Sequence, residues 1–441
     1  MKQNKITLYT ITPMFMTGAD GQTPELRTSE FKGMMRFWWR AIKADDNIDE
    51  LRKKEAEIFG GTENEGKSKV KIKIYPQPSN QFLGENLRNE FGLEGIRYLL
   101  YPCQEKKYIK PNFQFNIELL SYDENFHKNA LASLWTSIYL GGFGTRARRG
   151  AGNIAVEKIN GNTFDLDFIP KGETSENFYN WIKTNLNKCF NIINNDGKDI
   201  HKNFCTKYSN LSFSRIIISN QTSPNWQSAL NDIGKIYSEF RRNHRSEIFD
   251  TAVFGFPIVH KGITVKGNKE NRRSSPIIFK IIKIENNFFW YAIRLAGEFL
   301  EEGSVIKVFS TQKPKTLTSN LAGTSSVIKA YSTQKPDYKL IDEFWNQVKN
   351  KGKEFVLSQP EILNNIIEKI KTECNPDKII LFGSRARGDA HKNADIDIAI
   401  ENSKKPISIN APIDIVDLTK ANSSLKDKIK REGIIIYERK S

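Results

Sequence analysis

The stretch Leu381–Ile400 reads LFGSRARGDAHKNADIDIAI, and its residue types are those of phosphoryl transfer. Gly383 and Ser384 end an apolar run and open a basic one containing Arg385 and Arg387. Backbone N–H groups at a helix start, beside a serine hydroxyl, suit phosphate oxygens. Further on, Asp395 and Asp397 are two apart, so in a strand both carboxylates would face one side. Hard oxygen ligands of that kind hold Mg²⁺. A third carboxylate on a neighbouring strand would complete a two-metal site, and PIDIVDL offers Asp414 or Asp417. An Asp-x-Asp pair alone is common on edge strands. The upstream turn and the downstream acidic strand together make it a candidate catalytic and nucleotide-binding constellation.

Basic residues carry the second signal. The formal charge is +16, of which residues 375–441 supply only +3, with 13 Lys and Arg against 10 Asp and Glu. The excess therefore lies in the front of the chain, where it reads as the footprint of a polyanion, most often nucleic acid. Within TSEFKGMMRFWWRAI, Lys32, Arg36 and Arg40 recur every four residues and share one helix face. The same segment predicts a helix capped by Ser29, with Met34, Phe37, Trp38 and Ala41 on its apolar side. GGFGTRARRGAGNI, residues 141–154, packs five glycines with Arg146, Arg148 and Arg149 after a predicted helix over 129–140. Glycine permits close backbone approach and arginine pairs bidentately with phosphate, so this loop is a second RNA-contact candidate. Arg272 and Arg273, ahead of the strand-like SSPIIFKIIKI, join that set.

Other features are bland. GTENEGKS, residues 61–68, fits the P-loop spacing but lies between a helix and a strand rather than after a strand, so it reads as a loop. The four cysteines have no paired spacing suited to zinc or redox chemistry. No run of 18 apolar residues exists and the first residues lack a signal-peptide layout, so the expectation is a soluble cytoplasmic protein without a membrane partner. SVIKVFSTQKP at 304–314 returns as SVIKAYSTQKP at 326–336, a tandem duplication with a 22-residue shift. Two copies do not build a solenoid.

The ordered motifs TPELR…FKGMMRFWWRA, EAEIFGG, GGFGTRARRGAGN and RRSSPIIFK resemble the RAMP superfamily, and are most similar to subunit one of the Cmr complex, the type III-B CRISPR effector. That resemblance covers roughly residues 1–345. It implies an α+β chain with two ferredoxin-like (RRM-like) domains, over 1–165 and 166–345. It also implies crRNA, target RNA and other Cmr subunits as partners, binding without cleavage, and RNA contact at Arg27, Lys32, Arg36, Arg40, Arg146, Arg148 and Arg149. Residues 358–441 are similar to the minimal nucleotidyltransferases of the DNA polymerase β superfamily, whose pattern is GSxARG followed by (S)DxD; here Ala394 stands where serine is usual. The likeness implies NTP binding, with ATP expected, at Gly383 and Ser384. It further implies Mg²⁺ on Asp395 and Asp397, with Asp414 helping to activate the attacking hydroxyl. Three readings of the whole follow: an RNA-binding subunit carrying an active nucleotidyltransferase that acts on a nearby RNA or protein; a scaffold with a non-catalytic nucleotide-binding domain; or a toxin-control transferase using the front for RNA sensing. The Lys-rich stretch Trp345–Pro360 reads as a short joint between the parts.

Overall fold

The computed structural model describes residues 1–61, 66–76, 83–88, 92–194, 204–247, 249–260, 263–297, 300, 304–310, 330–334, 338–388, 390, 393–405 and 413–439. Half of GTENEGKS (62–65) and all of the span between the two duplicated segments (315–325) lie outside them.

The first unit runs β1 (Lys2–Thr10), α1 (Thr28–Lys43), α2 (Ile48–Phe59), β2 (Val70–Pro76), β3 (Leu83–Gly84), α3 (Glu94–Leu100), β4 (Tyr108–Ile109), β5 (Gln114–Ser121), α4 (Glu124–Tyr139) and β6 (Ile154–Asn160). Its main sheet has the order β2-β5-β1-β6, with β1 antiparallel to β5 and β6. A first and third strand side by side at the centre is the ferredoxin-like arrangement. The alternation of β1 puts Ile6 and Leu8 in the core. α1 buries Phe31, Met35, Trp38, Trp39 and Ile42, while Met34 and Phe37 are only half-buried. The buried stripe therefore starts at Phe31. The helix starts at Thr28 with extended Arg27 at its cap, so Ser29 lies inside the first turn and does not cap it.

After α5 (Ser175–Asn194), the second unit comprises β7 (Asn210–Ser219), α6 (Trp226–Asn243), β8 (Ile258–His260), β9 (Ile263–Gly267), β10 (Ile277–Ile284), β11 (Asn287–Ala296), β12 (Ile306–Ser310), β13 (Ala330–Gln334), α7 (Lys339–Lys349) and β14 (Gly352–Ser358). Its sheet, β10-β11-β7-β14, repeats the ferredoxin-like order. The hairpins on either side of β10–β11 form a side sheet, β13-β12-β9-β8. Within it, β12 of the first duplicated segment pairs antiparallel with β13 of the second.

The stretch expected to be a joint is part of this unit. Trp345 is buried in α7, and β14 is the fourth strand, paired with β7 from Gly352 to Ser358. Lys349 and Lys351 just ahead of it and the exposed Lys353 within it masked the strand, so the unit closes at Ser358 rather than at 345.

The third unit holds α8 (Glu361–Cys374), β15 (Lys378–Phe382), α9 (Gly383–Arg387), β16 (Asp397–Glu401), β17 (Asp414–Asp417), α10 (Ser423–Glu432) and β18 (Ile434–Glu438). Its sheet is β17-β16-β15-β18, with β16 and β17 parallel. Pro360 stands at the cap of α8, and left-handed Asn375 ends it. One apolar core runs through both ferredoxin-like units. A second core joins Leu363, Ile367, Ile379 and Ile398 of the third unit to Phe213 and Ala296 of the second. Among the described residues no helix is long and apolar enough to cross a membrane.

Lys280 of β10 locks the first two units together. Its ammonium is buried and donates to the carbonyls of Ile138 (2.8 Å) and Gly141 at the end of α4, where helix carbonyls lack partners. Burial pushes this group down to about 7 from an ordinary value of 10.5. Above pH 7 the unfolded chain keeps a proton that the native chain releases, so this group makes native stability rise with pH until the unfolded lysine also titrates. In urea titrations between about pH 6.5 and about pH 9.5, wild type should gain on Lys280→Met by on the order of 1 kcal/mol per pH unit. Parallel pH profiles would refute a depressed Lys280.

Candidate nucleotide site and basic faces

β15 carries the chain into the nucleotide turn, where Gly383 takes a left-handed φ of 73°. A Cβ at that position would lie 2.0 Å from Asp397 Oδ2, so the turn packs directly on that carboxylate. Only glycine meets both conditions. The antiparallel register sets Phe382 opposite Asp397, and the parallel one sets Asp397 beside Asp414. Burial, and after it the neighbouring Asp414 and Asp395, push the half-buried Asp397 carboxyl upward. Asp395 lies two residues ahead of β16 and is exposed, so it reaches the pair from a loop rather than through strand alternation. Asp417 faces elsewhere: it accepts from the Thr419 hydroxyl (2.6 Å) and N–H (2.9 Å), which hold its pKa down. The third carboxylate beside the Asp-x-Asp pair is therefore Asp414.

Two carboxylates close enough to repel one another fit a hard divalent cation, which would remove that repulsion. Among the described residues no three acidic, histidine or cysteine side chains form a metal-holding cluster, so the carboxylates that stand together for such a cation are the in-register pair Asp397 and Asp414.

Arg385 and Arg387 do not project into the turn as the sequence implied. Arg385 is buried, donates to the Ala394 carbonyl at 2.8 Å and stacks on Phe204. Arg387 pairs with Glu432 at 2.9 Å. One turn of helix directs both guanidinium groups at the surrounding protein, leaving buried Gly383, against Asp397, and half-buried Ser384 at the turn.

The glycine-rich loop sends its three arginines in three directions. Arg149 is a correction to the RNA-contact set. It is buried between Tyr237 and Phe279 and donates to the carbonyls of Ile277 (3.2 Å) and Phe254 (3.0 Å) and to the Tyr237 hydroxyl (3.1 Å). Arg148 stacks on Phe37 and bonds to the Ser275 carbonyl at 2.5 Å. It lines a groove of about 1470 Å³ together with Lys32, Arg36, Arg40, Arg272 and Arg273. Arg36 and Arg40 share the buried carboxylate of Glu55, which orders their guanidinium groups while leaving net positive charge. Arg27, at the cap of α1, does not line this groove. The glycines serve internal packing: a Cβ on Gly152 would lie 1.8 Å from the Phe143 carbonyl oxygen.

Arg146, left-handed at φ 65°, lines a different cavity of about 710 Å³ between α3 and the end of α6. Arg97, Arg241, Arg242 and Arg245 surround it, with Tyr98 and the exposed Tyr101. Sequence reading missed this face, although FRRNHR at 240–245 carried the charge signal.

The RAMP superfamily model matches residues 7–157, and the polymerase beta nucleotidyltransferase model matches residues 364–441. The CRISPR system Cmr subunit Cmr1-2 of Pyrococcus furiosus is 35% identical over an alignment of 178 positions that covers 34% of this chain and 94% of that protein. The chain belongs to the Cmr1 family of RAMP proteins. Subunit Cmr1-1 of the same organism is 28% identical over 273 residues, 59% of this chain and 77% of that protein. The crystal structure of apo Cmr1 from Pyrococcus furiosus shares the fold over 81% of this chain and 99% of its own, with a TM-score of 0.55 and 20% identity. This Cmr1-family chain thus carries a nucleotidyltransferase domain behind its RAMP units.

Because any side chain at 383 collides with Asp397, Gly383→Ala should weaken Mg²⁺-dependent nucleotide binding by at least about tenfold, or about 1.4 kcal/mol. Equilibrium dialysis with labelled NTP checks this. Unchanged binding would remove the turn from the site.

Proposed function

We propose that the chain is an RNA-holding subunit of a type III-B Cmr complex whose third unit transfers a nucleoside monophosphate, preferably AMP, from an NTP to an RNA end or protein at that complex. The observation that carries the reading is the packing of Gly383 on Asp397 with Asp414 in register beside it. Family membership and the polymerase beta match support the two halves. Guide and target RNA and other Cmr subunits are the expected partners, and the acidic pair with Asp395 would hold Mg²⁺.

The chemistry follows from these groups. Gly383 and Ser384 hold the triphosphate by backbone N–H and hydroxyl. A bound divalent cation would screen phosphate charge and favour departure of pyrophosphate. Asp414 takes the proton from the acceptor hydroxyl as its oxygen bonds to the α-phosphorus. The bond from that phosphorus to the bridging oxygen breaks, and pyrophosphate leaves. Since the third unit shares a core with the second, the acceptor must come to a fixed mouth.

For the transfer, purified chain is incubated with Mg²⁺ and each α-labelled NTP, with and without guide RNA and complex subunits. Label should reach RNA or a protein band in wild type and fall at least about a hundredfold in Asp397→Asn, in line with losses at charge-stabilising catalytic groups. The absence of label in the complete complex would favour a nucleotide-binding scaffold.

For RNA, Arg148→Ala with Arg273→Ala should weaken binding and lower the slope of log affinity against log salt by about one for each phosphate no longer neutralised. Arg149→Ala should lower thermal stability and leave that slope unchanged in the folded fraction. Filter binding across a salt series separates the two, and an identical slope in all variants would exclude the groove.

A further inference from the structure

Two arginines of the RAMP part reach under the nucleotide turn. Arg215 on β7 and Arg294 on β11 are cross-strand partners on the central strands of the second sheet, and both are buried. Arg294 pairs with Asp342 of α7 at 2.5 Å and donates its other terminal nitrogen to the carbonyl of Arg387. Arg215 pairs with Glu354 of β14 at 3.1 Å and donates to the carbonyl of Ala386 at 3.4 Å.

Ala386 and Arg387 are the last residues of α9, whose first two are Gly383 and Ser384. The final carbonyls of a helix lack intrahelical partners and carry its negative end, so guanidinium donors suit them. Placing two like charges side by side in a core is costly, and an apolar pair would pack the interface at least as well. What an apolar pair could not do is fix the direction of the helix. A planar guanidinium held by a carboxylate on one edge presents its other edge at a set angle. Each arginine is held by an acid of its own unit through one terminal nitrogen, and each points the other terminal nitrogen at α9.

We propose that Arg215 and Arg294 are positioning residues of the nucleotide site: the second ferredoxin-like sheet grips the end of α9 and so sets the Gly383-Ser384 turn against Asp397. The RAMP part is then a structural half of the transferase site and not a tether for it. This rests on the reading that the turn binds NTP.

The test uses the full chain and fluorescent ATP with Mg²⁺, comparing wild type, Arg294→Lys and Arg215→Lys. Lysine keeps the charge beside Asp342 or Glu354 but has no second edge to aim at α9. A control, Tyr179→Phe, removes a 2.9 Å hydrogen bond to the Val356 carbonyl in the same unit and leaves α9 untouched. Melting temperature and RNA affinity are measured on every variant. The expected result is nucleotide affinity weakened about tenfold or more in both lysine variants, with melting and RNA affinity close to wild type and the control unaffected. Unaltered nucleotide affinity in both would overturn the proposal. So would losses of nucleotide and RNA affinity that track melting temperature in all variants, the control included, because a merely structural role predicts that. Should Arg294→Lys fail to fold, Arg215→Lys, whose bond to α9 is longer, decides alone. If wild type does not bind fluorescent ATP, GTP, CTP or UTP with Mg²⁺ in the same assay, the NTP reading falls first and the proposal with it.

Discussion

A buried cation must find oxygen, and in this chain that requirement holds the parts together. Lys280 reaches across to the end of α4, Arg149 into the second unit, and Arg294 and Arg215 towards α9. Each side chain belongs to one unit and spends at least one donor on a backbone carbonyl of another. Backbone carbonyls do not titrate and do not move without moving the element that bears them. The cations therefore set angles between units, whereas the apolar cores supply most of the free energy. A change at one of these cations should be felt as misalignment as well as lost stability.

The glycine-rich loop acquires its meaning from the same constraint. It runs between the two ferredoxin-like units, and its three arginines go to a groove, a cavity and the interior. Arginine density in a sequence measures charge, but it cannot say which guanidinium faces solvent. The inward one is decided by tertiary partners, Tyr237, Phe254 and Ile277, that lie some hundred residues on. The two outward ones border separate basic faces, so a strand of RNA crossing the loop could engage both α1 and the end of α6.

Much of the fold was legible because its elements follow simple periods. β1 alternates, β15 is a short apolar run, and glycine and serine mark the turn after it. The elements that escaped notice lacked such marks. β14 hides its strand pattern under lysine, and α1 starts without a capping side chain. At the nucleotide site the sequence left Asp414 and Asp417 open, because three residues along a four-residue strand is a difference that only register resolves. Pairing with β16 puts Asp414 beside Asp397 and Asp417 beside Ile400, at the far end. Arg385 and Arg387 misled for a related reason: a charge near a phosphate-binding turn reads the same whether it faces the ligand or braces the turn from behind.

That β14 is a strand also changes what joining the RAMP units to the nucleotidyltransferase domain accomplishes. A flexible joint would act by raising local concentration, and any acceptor within reach of the linker would be served. Here β14 ends in the sheet at Ser358 and α8 begins at Glu361, so there is no slack for the third unit to sample. Its face against the second unit is part of an apolar core and its turn is braced by the sheet. On the proposed transfer, selectivity for an acceptor comes from geometry, since only a group delivered to Gly383, Asp397 and Asp414 would react. An RNA lying on the basic faces, or a subunit bound beside them, meets that condition by where it is held. On that reading the RAMP units would choose the substrate by presenting it, and β15, β16 and β17 would supply the chemistry.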